Sequence, residues 1–261
     1  MIPAQRRAKI LELVQRHGTV SMQELAETLA TSSSTIRRDL DYLAENGYVE
    51  RTHGGAHRAG HPFGTTFEPE YDIGRHTRAQ EKEAIGRAAA DLIRNGSCVF
   101  FDSSTTVLEA AKALVASERE ITAVTNDLNI ALHLARSPAI RTIVPGGTVR
   151  TRSFSLFGSP GNEFVAGMQV DVALVGIHSL ADGVLSDSSL EIVQSKRTTI
   201  ATSHRCVLLA DASKFTAPRS FLTVAPLAAV DTLVTDDAIT DDEHRRAIEA
   251  GVAVQVAVVG R

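Results

Sequence analysis

The segment SSSTIRRDLDYLAENGYVERTHGG, residues 32–55, reads as a helix followed by a hairpin. A hydroxyl at Ser32 or Ser33 stands where an N-cap belongs, and Ile36, Leu40 and Leu43 recur at helical spacing. Gly47 occupies the place of a C′ residue. Tyr48-Val49-Glu50-Arg51-Thr52 then alternates like a strand, and Gly54-Gly55 supplies a turn. Upstream, Ile10, Leu11, Leu13 and Val14 form the apolar stripe of a first helix that stops at Gly18. Ser21 and Glu24 form a capping box that opens a second helix, with Leu25 and Leu29 on its buried face. Ala30-Thr31-Ser32 is the polar turn between helices two and three. Residues 1–57 therefore read as three helices and a hairpin.

Two helices joined by a short turn, the second starting with hydroxyls and arginines, are the elements of a helix-turn-helix. The start of such a second helix enters the major groove. It needs short side chains for close approach and arginines for phosphates or guanine edges. Ser32, Ser33, Ser34, Thr35, Arg37 and Arg38 are the candidates there. Ser33, Ser34 and Arg37 are placed to reach bases, and Thr35 and Arg38 to reach backbone. Arg51, His53 and Arg58 would make the hairpin a basic wing. An ordinary three-helix unit with solvated charges has the same spacing.

The STIRRDL segment, the L-x-x-x-G after it and the R-T-H-G-G-A wing resemble the winged helix-turn-helix of the DeoR family of bacterial sugar-metabolism repressors. The resemblance runs to about residue 235. It implies operator DNA as partner, binding as a homo-oligomer (dimer or tetramer), and release when a phosphorylated sugar or related phosphometabolite binds the larger domain.

The whole chain fits two domains: 261 residues, 43% apolar, 22% charged, at about 100–200 residues per domain. The net charge of −4 is unevenly spread. Residues 1–60 hold eight Lys or Arg against seven acids, net +1, and residues 61–261 hold 19 against 24, net −5. A DNA contact must then rest on a few placed arginines, not on a broad basic surface. Cys98 and Cys206, both inside apolar runs, read as free thiols and not as a disulfide or metal site. No apolar run reaches the ~18 residues of a membrane span, and the N-terminus lacks a signal-peptide core. The expected place is the bacterial cytoplasm, on the nucleoid when bound to DNA, with no membrane, metal or cofactor.

Residues 58–80 lack periodicity, are rich in Gly, Pro, His and Thr, and read as a linker. From residue 81 to 261, β-rich runs (98–101, 121–125, 141–144, 172–177, 206–210, 232–235, 252–259) alternate with helical stretches (81–93, 107–115, 128–135, 190–202, 242–250). Apolar strands separated by amphipathic helices indicate a Rossmann-like, mainly parallel sheet covered on both faces, and so an α/β class for this domain.

Ligands of such sheets bind beyond the carboxyl ends of the strands. Polar and glycine-rich groups follow successive runs: Asp102-Ser103-Ser104-Thr105-Thr106, Thr125-Asn126-Asp127, Gly146-Gly147, His178 through Asp187, and Asp211-Ala212-Ser213-Lys214. A hydroxyl-rich loop opening a helix suits phosphate. Gly146 and Gly147 would let the backbone approach a ligand, and Lys196 or Lys214 would neutralise it. Taken singly, each signal is an ordinary cap, turn or solvated lysine; their succession is what points to a pocket. These residues also resemble the DeoR sensor domain, similar in fold to ribose-5-phosphate isomerase and coenzyme A transferase. Asp102–Thr106 matches a D-x-G-T-T loop, Val124-Thr125-Asn126 and Gly146-Gly147 match family positions, and 208–215 matches L-L-A-D-x-S-K-F. Asp182–Asp187 matches D-G-x-L-x-D in part. Ser104 replaces the usual glycine, so a differently shaped loop is expected. The resemblance implies an effector site made of Asp102, Ser103, Ser104, Thr105, Thr106, Thr125, Asn126, Gly146, Gly147, Asp182, Lys196 and Lys214.

The competing reading is a sugar-phosphate isomerase that retains a DNA-binding domain. Asp182, Asp187, Glu191 and Lys196 could supply a base and a cation for an enediolate. The isomerase-like D-G-x-D-E cluster is absent from the sequence, so no catalytic residue is expected.

Overall fold

In the computed structural model, which describes residues 1–59 and 70–260, α1 (Pro3–His17) starts on a proline. The missing N–H costs nothing at that position. The helix ends at Gly18, φ +76°. β1 (Thr19–Ser21) leads to α2 (Met22–Thr28), opened by the capping box: Glu24 N–H donates to Ser21 Oγ at 3.1 Å, and Ser21 N–H donates to Glu24 Oε2 at 2.8 Å. α3 (Ser33–Glu45) is capped by Ser32. β2 (Val49–Arg51) and β3 (Gly55–Arg58) form the hairpin, and β1 joins it, giving the antiparallel order β1-β3-β2. β1 was not expected from three residues of sequence. Its approach to β3 requires Gly55, because a Cβ there would lie 2.0 Å from the Val20 carbonyl oxygen. Ile10, Leu11, Val14, Leu25, Ile36, Leu40 and Leu43 fill the core of this unit.

The segment expected as a linker contributes to that core. Arg58 completes β3, and α4 (Tyr71–Gly74) buries Ile73 among the residues of α1 and α3. The first unit accordingly runs Met1–Ala79, and the second begins at Gln80. The remainder of the expected linker, residues 60–69, lies outside the described residues. One buried isoleucine in a polar, glycine-rich stretch produces no periodicity, which is why this turn is silent in the sequence.

The second unit is built on the parallel sheet. Its helices and strands run α5 (Ala79–Asp91), β4 (Cys98–Phe101), α6 (Thr105–Ala116), β5 (Ile121–Thr125), α7 (Leu128–Leu134) and β6 (Ile140–Ile143). A small hairpin of β7 (Thr148–Val149) and β8 (Leu156–Phe157) precedes α8 (Gly161–Ala166) and β9 (Val170–Gly176). β10 (Ser179–Ala181), β11 (Val184–Asp187), α9 (Leu190–Ala201), β12 (Ser203–Leu209), α10 (Ser213–Thr216) and β13 (Leu222–Pro226) follow. β14 (Thr232–Asp236), α11 (Asp241–Glu249) and β15 (Ala253–Ala257) close the unit.

The sheet order is β15-β14-β12-β9-β4-β5-β6, parallel at each pairing, and its seven strands are the seven β-rich runs of the sequence. Phe100, Val124, Ala173, Val175, Leu208 and Leu233 make the core. The central strands, buried on both faces, read as continuous apolar runs, while the edge strands β6 and β15 are only partly buried. β10, β11 and β13 form a separate antiparallel sheet. With strands of two to five residues, it and the β7–β8 hairpin are too short to announce themselves by alternation. Because the large sheet is parallel, the polar residues after each strand gather at one edge.

Candidate functional site

α3 carries most of the residues expected to read DNA. Ser32 is its N-cap: the Thr35 N–H donates to Ser32 Oγ at 3.3 Å, and the same oxygen lies 3.0 Å from Ser34 Oγ and 2.9 Å from Thr35 Oγ1. Ser32 is thus occupied in holding the helix, while Ser33, Ser34, Arg37 and Arg38 are exposed. Neither Arg37 nor Arg38 forms an ion pair among the described residues. Arg51, expected on the wing, is tied back: its Nε lies 3.2 Å from Asp41 and its Nη1 donates to the Gly55 carbonyl at 3.0 Å. His53 is exposed at the turn.

The orientation of α3 depends on a residue that the sequence reading did not select. Asp39, 2% exposed, accepts from Arg6 Nε at 2.5 Å and from Arg7 Nε at 3.0 Å, both on α1. A buried carboxylate is tolerated only when paired, so α3 is fixed in rotation against α1. That rotation turns Arg37 and Arg38 outward. The paired arginines at positions 6 and 7 were the available signal.

In the second unit, the ends of β4 and β9 meet at Lys196, and the end of β5 meets its neighbour Ser195. This lysine, 2% exposed on α9, donates to Asp102 Oδ2 and, at 2.7 Å, to the Gly176 carbonyl; it lies 3.8 Å from Asp187. Asp102 also accepts the Gly176 N–H at 3.1 Å. Thr125 Oγ1 donates to the Phe101 carbonyl at 2.8 Å and accepts from Asp127 N–H. Asn126 reaches Ser195 on α9 at 3.3 Å, and its Oδ1 is buried with no partner among the described residues. Asp102, Thr125, Asn126 and Lys196 are therefore brought together, with Ser195 and Asp187 as members the sequence reading left out of the site. Lys196 is already paired, which leaves the half-buried Lys214 as the better candidate to meet an anion.

Thr105 and Thr106 open α6 beside this cluster, Ser103 precedes it, and Ser104 is its cap, accepting from Thr106 N–H at 3.2 Å and from Val107 N–H at 3.5 Å. Ser104 fits because residue 176 is glycine: a Cβ on Gly176 would fall 2.2 Å from Ser104 Oγ. The unusual serine is accommodated by a glycine on the neighbouring strand. Gly146 and Gly147 have φ of +93° and +118°, and a Cβ on Gly147 would lie 2.7 Å from the Phe157 carbonyl oxygen. At residue 147 glycine allows close packing on β8, whereas at residue 146 the positive φ is what favours it. Asp182 departs from expectation. It sits in the exposed β10–β11 turn, φ +51°, at the opposite end of β11 from Asp187. At about 3.4 Å per strand residue the two are roughly 17 Å apart along the chain. Asp187, not Asp182, meets Lys196.

Two groups at this edge titrate abnormally. Burial, with the Asp102 charge adding to it, raises Asp127 from 3.8 to about 6, although the Ile130 and Asn129 N–H groups it caps pull the other way. Burial, helped by Lys214 and Lys196, lowers His178 from 6.5 to about 4 against the pull of Asp187. His178 follows β9 and is neutral at pH 7. Its position in the apolar-to-polar transition after β9 was the signal for it.

Residues 6–60 match the model of the DeoR-like helix-turn-helix domain, and residues 77–237 that of the DeoR C terminal sensor domain. The chain belongs to the DeoR family. Among the relatives of this DeoR-family regulator is the glycerol-3-phosphate regulon repressor of Escherichia coli K12, 35% identical over 90% of this chain and 92% of its own. The HTH-type transcriptional repressor CsqR of the same organism is 32% identical over 89% and 87%, and the regulator GlpR of Haloferax volcanii 31% over 97% and 98%. A partial likeness in fold links the chain to ribose 5 phosphate isomerase A of Neisseria gonorrhoeae, with 17% identity, 51% of this chain, 52% of that one and a TM-score of 0.36. The DeoR-family chain is a transcriptional regulator that binds DNA. No helix among the described residues is long and apolar enough to cross a membrane.

Proposed function

We propose that this DeoR-family protein is a repressor of a carbohydrate operon, released from its operator by a phosphorylated sugar bound at the edge where Asp102, Asn126, Lys196 and Lys214 lie. The observation that carries this reading is the polar cluster of Lys196 with Asp102 and Asp187, buried at the carboxyl ends of neighbouring parallel strands. Buried carboxylates and amides accept sugar hydroxyls, while the start of α6 and Lys214 supply donors for a phosphate. The name of one relative, the glycerol-3-phosphate regulon repressor, supports a phosphorylated effector. Ser33, Ser34, Arg37 and Arg38 contact operator DNA, and the protein acts as a homo-oligomer whose second units set the spacing of paired half-sites.

The test is a thermal-shift screen of the full chain with phosphorylated sugars and their unphosphorylated counterparts. A ligand at a hundred times its dissociation constant stabilises by about 2.7 kcal/mol. A phosphorylated sugar should raise the melting temperature where the unphosphorylated form does not; equal shifts from both would exclude the phosphate from recognition. Light scattering of the free chain reads the oligomeric state, and a monomer bound to paired half-sites would exclude assembly through the second unit.

A further inference from the structure

The residues that lead from the DNA-reading unit into the second unit are fastened to the recognition helix by side chains that packing alone does not demand. Glu70 precedes α4. Tyr42 Oη, on α3, lies within hydrogen-bonding distance of both its carboxylate oxygens, 2.7 and 2.6 Å, and Glu70 N–H donates to Tyr48 Oη at 2.7 Å. At the other end, Arg78 N–H donates to Glu12 Oε1 of α1 at 2.6 Å. Between the two anchors, Ile73 is 2% exposed in the core. Residues 70–78 thus form a strap held at both ends and in the middle, and the chain passes from it directly into α5.

The strap is connected to the reading face by a short series of contacts. The Tyr42 ring lies under the Arg7 guanidinium, 3.4 Å from its centroid, and Arg7 also donates to Asp39. Asp39 stands one turn before Tyr42 on α3 and directly after Arg37 and Arg38. A phenylalanine at position 42 would fill the same space. The hydroxyl adds a bond to the strap carboxylate, so it ties the helix that carries Arg37 and Arg38 to the chain entering the second unit.

We propose that Tyr42 and Glu70 are positioning residues for DNA reading, and that the strap 70–78 couples movement at the start of the second unit to the orientation of α3. The coupling is reciprocal: whatever fixes α3 on DNA must also steady the strap.

Amide hydrogen exchange of the full chain tests this, with and without a duplex selected from a random-sequence pool for binding to the wild type. The readout is the strap amides of Gly74, Arg75 and Thr77, which bond back to Glu70, Tyr71 and Ile73. In the wild type, DNA should slow their exchange about fivefold or more, the lower end of ordinary coupling between sites. In Tyr42→Phe, and in Glu70→Ala, which leaves α3 unaltered, DNA should still protect α3 while the strap response disappears; Glu70→Gln, which still accepts a hydrogen bond, should restore part of it. A strap response unchanged in Glu70→Ala, as direct contact with DNA would give, overturns the proposal. So does a wild-type strap that ignores DNA while α3 is protected.

Discussion

The ammonium of Lys196 rests on the carboxylate of Asp102, 94 residues earlier in the chain, with both side chains nearly closed off from solvent. This pair joins α9 to the end of β4 and places Asp187 within 3.8 Å of the same nitrogen. Removing the cation leaves two buried carboxylates facing each other. Lys196→Met should destabilise the second unit by about 3–5 kcal/mol, measured by chemical denaturation of the full chain. A loss below about 1 kcal/mol would show that the carboxylates find other partners.

Asp39 and Arg38 are neighbours with separable roles. Asp39→Ala strands Arg6 and Arg7 and should lower the stability of the first unit by about 3 kcal/mol. Arg38→Ala should leave stability unchanged and reduce the slope of log affinity against log salt by about one. Melting curves and salt titrations of both variants distinguish the roles; a slope unchanged in Arg38→Ala removes that residue from the phosphate contacts.

Ser104 and Gly176 form a steric pair. Gly176→Ala places a methyl 2.2 Å from Ser104 Oγ and 2.4 Å from its Cβ, and should be destabilising. Adding Ser104→Gly removes both atoms and should recover most of the loss, since glycine is only a few tenths of a kcal/mol worse than serine as an N-cap. The double-mutant cycle reads the coupling directly. Additive losses would mean that the strain lies elsewhere.

Asp127 and His178 should pull stability in opposite directions with pH. The folded value of Asp127, about 6, exceeds its unfolded 3.8, so the native state holds the extra proton and this group's contribution falls as pH rises from 3.8 to 6. The folded value of His178, about 4, lies below its unfolded 6.5 under the influence of burial, Lys214 and Lys196, with Asp187 opposing. Its contribution is therefore lost as pH falls from 6.5 to 4. Asp127→Asn, which can still cap α7, should make the melting temperature drop more steeply on acidification. His178→Gln should make it drop less. Parallel curves for wild type and both variants would refute the two environments.

How much of this was legible in the sequence follows from what each residue does locally. Ser21 with Glu24, Gly18 and the apolar runs of the large sheet act through neighbours in the chain or through uniform burial, and their patterns survive in one dimension. Ile73 buries itself alone, and Asp39 finds its partners more than thirty residues away. Asp187 and Asp182 look alike in sequence as two acids of one D-G-x-L-x-D stretch. Only the direction of the β10–β11 hairpin decides which one meets Lys196.

The most direct test of the effector reading is the anisotropy of a labelled, selected duplex bound by the full chain and titrated with phosphorylated sugars and their unphosphorylated forms. A phosphorylated sugar should weaken binding tenfold or more, about 1.4 kcal/mol, with no response to the unphosphorylated sugar. Lys214→Ala should bind the duplex as tightly as wild type yet lose that response. Release by sugars irrespective of phosphate, or equal release in Lys214→Ala, would contradict it.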